Sequence, residues 1–77
     1  MTINKLGEIL REMHSNAAPG DLAVTIHLFG VQYSTQIEDC GGTARDVAKA
    51  AGIPESYGTE IRKGVRFAEY VTVKRSV

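Results

Sequence analysis

The chain lacks the staples on which many small proteins depend. A single cysteine, Cys40, excludes an internal disulfide, and only two distant histidines accompany it, so no metal-ligand spacing exists. No window approaches 18 apolar residues, which excludes a membrane-spanning helix. The start, MTINKLGEIL, has neither the basic opening nor the unbroken apolar run of a signal peptide, so a cytoplasmic protein is expected. Net charge is absent too: nine Lys and Arg balance nine Asp and Glu, unlike a strongly basic nucleic-acid binder. Low-complexity tracts are missing and hydrophobic content is 43%, which argues against disorder. Gly41-Gly42-Thr43 lacks the glycine spacing and the lysine of a phosphate loop. No triad spacing or usefully paired carboxylates occur, and the chain has little room for a pocket. No enzymatic activity, cofactor or small-molecule substrate is expected.

What is present fits one small domain, 1–77, of mainly α class. At 77 residues a single core is marginal, which favours a homodimer that extends it. Leu6, Ile9, Leu10 and Met13 recur at helical spacing and predict a first helix from Thr2 or Asn4 to Asn16. Pro19-Gly20 ends it, and Asp21 can cap the next element. Leu22, Ile26, Phe29, Tyr33 and Ile37 mark one face of a long helix over 21–40, stopped by Gly41-Gly42. The segment LAVTIHLF is β-branched enough for a strand, but the length of the stripe favours helix. His27 on such a helix reads as a partly buried structural residue, and Cys40 as a small buried or semi-exposed one.

The richest stretch is Thr43–Gly64, TARDVAKAAGIPESYGTEIRKG. Thr43 and Asp46 make a capping-box variant, and Val47, Ala48 and Ala51 form a narrow inner face. Gly52 supplies a left-handed stop, Ile53 plugs the turn, and Pro54 suits the approach to a second helix. Ile61 is spaced to meet Val47 and Ala48. On these residues the stretch resembles the helix-turn-helix of bacterial transcription regulators. There an alanine stands four before the turn glycine, a hydrophobe follows it, and an apolar residue lies nine after it. Ala48, Ile53 and Ile61 match. The family places Val or Ile six after the glycine, where this chain has Gly58, with Tyr57 beside it to fill the space. The whole chain also resembles small bacterial helix-turn-helix-like proteins. The expected fold is a four-helix domain with its helix-turn-helix at about 43–68. A short β-strand over Tyr70–Arg75 follows, in the order of winged variants with a minimal wing.

The resemblance implies a duplex-DNA-binding protein of regulatory type, its recognition helix over about 55–68. Major-groove reading would use Glu55, Ser56, Thr59, Glu60 and Lys63. Thr43 and Arg45 would meet phosphates, with Arg62, Arg66, Lys74 and Arg75 adding neutralisation. Charge is divided along the chain: residues 1–42 carry two basic and five acidic side chains, residues 43–77 seven and four. The halves are therefore −3 and +3. An alternative stands beside this reading, a protein-interaction or oligomerisation module without DNA binding. Zero net charge, Gly58 and the acids Glu55 and Glu60 favour it.

Overall fold

The computed structural model describes residues 1–74. Five α-helices follow one another: α1 (Ile3–Asn16), α2 (Leu22–Gln32), α3 (Ser34–Asp39), α4 (Ala44–Ala51) and α5 (Gly58–Phe67). A 3-10 turn, Glu55–Tyr57, leads into α5. Thr2 caps α1, its hydroxyl accepting the Lys5 amide at 3.1 Å, so the helix starts where the sequence predicts. Asp21 stands at the start of α2, but its side chain makes no capping hydrogen bond.

The expected helix over 21–40 is two helices. They part at Tyr33, where φ widens to −111°. The bonds Tyr33 N–H to Phe29 O (3.0 Å) and Ile37 N–H to Tyr33 O (2.9 Å) survive across the joint. Ser34 and Thr35 follow it, and such residues give little support to a helix interior. Tyr33 lays its ring on Phe29 at 5.3 Å, and α3 is redirected towards α5. The strand reading of 22–28 does not apply, because those residues are helical.

One apolar cluster joins the elements. Leu6, Leu10, Ile26, Phe29, Val47, Ala48 and Ile61 are fully buried in it. Two glycine pairings set its geometry. Gly7 of α1 lies against Ala50 of α4: a Cβ built on it would stand 2.7 Å from the Ala50 Cβ. Gly30 of α2 crosses Gly64 of α5, and a Cβ on either would stand 2.9 Å from the other's Cα. None of these three glycines stops its helix; each permits a close backbone approach.

The expected strand is absent among the described residues. Phe67 O accepts the amides of Tyr70 (2.9 Å) and Val71 (3.0 Å), so the chain first turns back on the end of α5. Residues 71–73 then run without regular structure. A lone strand cannot satisfy its own backbone, and no second strand stands among the described residues to pair with it. Arg75 lies outside the described residues.

Candidate nucleic-acid interface

The corner between α4 and α5 is built from short-range chemistry. At its start, Thr43 accepts the Asp46 amide at 3.2 Å while the Asp46 carboxylate accepts the Thr43 amide at 2.8 Å. This reciprocal box satisfies two amides that a helix start leaves without partners. The bond from the Thr43 amide is also the main reason the Asp46 carboxyl sits below its usual range. At the other end, Gly52 adopts φ 77°, ψ 19°. Its amide donates to Lys49 O (3.0 Å) and that of Ile53 to Ala48 O (3.2 Å). That pair of bonds is a Schellman stop, and Ile53 folds under it onto the core.

The second helix is shorter than its expected 55–68 span. Residues 55–57 wind as a 3-10 turn, and the α-helix proper begins at Gly58. Gly58, where the regulator pattern has Val or Ile, sits on the backbone of Arg45: a Cβ there would stand 3.0 Å from both Arg45 N and Cα. The two helix starts therefore meet backbone to backbone. Tyr57 does not fill that space, because its ring turns edge-on to His14 of α1, 6.2 Å away.

Thr43, Arg45, Glu55, Ser56, Thr59, Lys63 and Arg66 are all exposed. Thr59, Lys63 and Arg66, at spacings of four and seven, share one face of α5, opposite buried Ile61. Arg45 crosses the corner to Glu55 at 3.3 Å, both side chains largely in solvent. Exposed pairs of this kind contribute about 0–1 kcal/mol, so a phosphate can replace Glu55 at little cost.

Glu60 departs from its expected role at base edges. It is half-buried and faces α2, where one carboxylate oxygen meets His27 Nε2. The other oxygen accepts Lys63 Nζ at 3.2 Å. The His27 bond, then that of Lys63, holds the Glu60 carboxyl below its usual range. His27 also sets its ring edge-on to Phe67 at 5.9 Å. This α2–α5 link joins residues 33 apart in sequence, brought together by the packing of the two helices, whose backbones touch at Gly30 and Gly64.

Arg62 and Arg66 form no ion pair among the described residues. Both line an open groove of about 560 Å³ between α3 and α5, closed at one end by Thr43 and Ala44. Glu38 and Glu69 line it as well, so the groove is mixed in charge.

A family model described as an HTH-like domain matches residues 2–74. The chain belongs to that family. No curated protein and no solved structure matches it. The helix-turn-helix-like domain thus spans all five helices, with the corner at Gly52–Pro54 as its turn. Among the described residues no helix is long and apolar enough to cross a membrane, and no cluster of His, Cys, Asp and Glu could hold a metal ion.

Proposed function

We propose that this helix-turn-helix-like domain binds duplex DNA as a regulator of transcription. It would act as a homodimer in the cytoplasm, without catalytic activity. The segment 55–67 enters the major groove with Ser56 and Thr59 leading, and Thr43 and Arg45 meet the phosphates beside it. One observation carries the reading. The two acids that count against a DNA face are both engaged, Glu55 by Arg45 and Glu60 by His27 and Lys63, while Arg62 and Arg66 form no ion pair among the described residues. With Glu60 turned towards α2, the outward side of α5 presents Arg62, Lys63 and Arg66. Lys63 serves both sides, held by Glu60 yet exposed.

Anisotropy of a labelled duplex at ~50 mM salt tests this. Binding tighter than about 10 μM, weakened roughly tenfold or more by Lys63→Glu and severalfold by Arg45→Ala, is expected. No binding, or binding indifferent to both variants, sinks it. A second reading, a protein-interaction module, draws on a different surface. Phe67, Tyr70 and Val71 remain 47%, 83% and 52% exposed around the end of α5. Phe29 is no part of such a patch, being fully buried.

A further inference from the structure

We propose that His27 is a pH-responsive positioning residue for the DNA-facing side of α5, acting through Glu60 on Lys63. The consequence for binding rests on the DNA reading above; the contact itself does not.

His27 is the one ionisable side chain of α2, LAVTIHLFGVQ. It is half-buried between its own helix and α5, which supplies every charged group found against it: Glu60 directly and Lys63 through Glu60. Helices α1 and α3, which also border α2, form no ion pair with it among the described residues. Phe67 covers one side of the ring. One carboxylate therefore serves two nitrogen partners. His27 lies on the inner, half-buried side, and Lys63 on the outer, exposed side.

Imidazole changes charge between about pH 5 and 8. Neutral His27 donates a single hydrogen bond, and Lys63 is then the only cation opposite Glu60. Protonated His27 neutralises the carboxylate at closer range than Lys63 does. The hold on the Lys63 ammonium weakens, and it can turn to a phosphate. Acidification thus adds one positive charge to this side of α5 without altering the fold. The other histidine, His14, faces Tyr57 and has no carboxylate partner among the described residues, so it provides an internal control.

The experiment measures anisotropy of a labelled mixed-sequence duplex at about pH 6 and about pH 8 in ~50 mM salt. Wild type binds roughly three- to tenfold tighter at the lower pH, the range that one added interfacial charge supplies. His27→Gln, which keeps a donor for Glu60 but cannot titrate, flattens the response, as does Glu60→Gln. His14→Gln retains it. A flat wild-type profile, or a response that survives in His27→Gln, overturns the proposal. Thermal midpoints of wild type and His27→Gln at both pH values read the contact without DNA. A wild-type advantage that is larger at pH ~6 supports the contact. An equal advantage at both overturns it. If that advantage is present but no variant binds duplex at either pH, the DNA reading falls and the histidine's role in binding falls with it.

Discussion

A methyl group on Gly64 would meet the His27 carbonyl and stand 2.9 Å from the Gly30 Cα. Alanine is worth up to about 1 kcal/mol over glycine inside a helix, whereas overpacking against rigid backbone costs typically 1–3 kcal/mol. The clash wins, and Gly64→Ala is expected to lower stability by about 1–2 kcal/mol in denaturant unfolding. Gly58→Val gives the sharper result. It restores the residue that the regulator pattern prefers, yet it places a branched side chain against the Arg45 backbone. A loss of roughly 1–3 kcal/mol is expected, and a neutral or stabilised variant would show that the α4–α5 approach is looser than described. Neither position was legible from the chain alone. By propensity alone a glycine inside a helix, such as Gly30 or Gly64, only weakens it, and Gly58 reads as a gap to be filled; the reason for each lies in a backbone distant in sequence.

At the scale of the element, legibility followed the reach of the interaction. The box at Thr43 and Asp46 and the stop at Gly52 and Ile53 lie within a few residues of their partners, so the chain shows them directly. The break at Tyr33 escaped because the apolar stripe runs through it unchanged from Phe29 to Ile37, although Ser34 and Thr35 are weak helix residues. The strand over 70–75 failed for the opposite reason: its local pattern is good, but pairing is not a local property. The box carries its own pH dependence. The Asp46 carboxyl is held below its usual range, so its contribution is complete above about pH 4 and disappears as pH falls through the lower folded value. Thermal melts should show a wild-type advantage over Asp46→Asn at neutral pH that shrinks towards pH ~3. Thr43→Ala should cost about 1 kcal/mol at neutral pH. An advantage that persists unchanged in acid would mean that the carboxylate is not the acceptor.

For the molecule as a whole, the corner and its family were readable from 22 residues, while the electrical character of the face was not. Composition gives zero net charge and two acids on the second helix, which reads as a poor DNA surface. The fold changes that balance by turning Glu60 inward to His27, while Glu55 pairs with Arg45 and leaves the net charge of the corner as it was. Among the described residues Arg62 and Arg66, both exposed, form no ion pair. The salt dependence of duplex binding tests this most directly, because the slope of log K against log salt counts the phosphates neutralised. A slope for each chain of roughly −3 to −5 is expected from Arg45, Arg62, Lys63 and Arg66. The slope should become shallower by about 2 in the double variant Arg62→Ala, Arg66→Ala. A flat slope, or one unchanged in that variant, would contradict it.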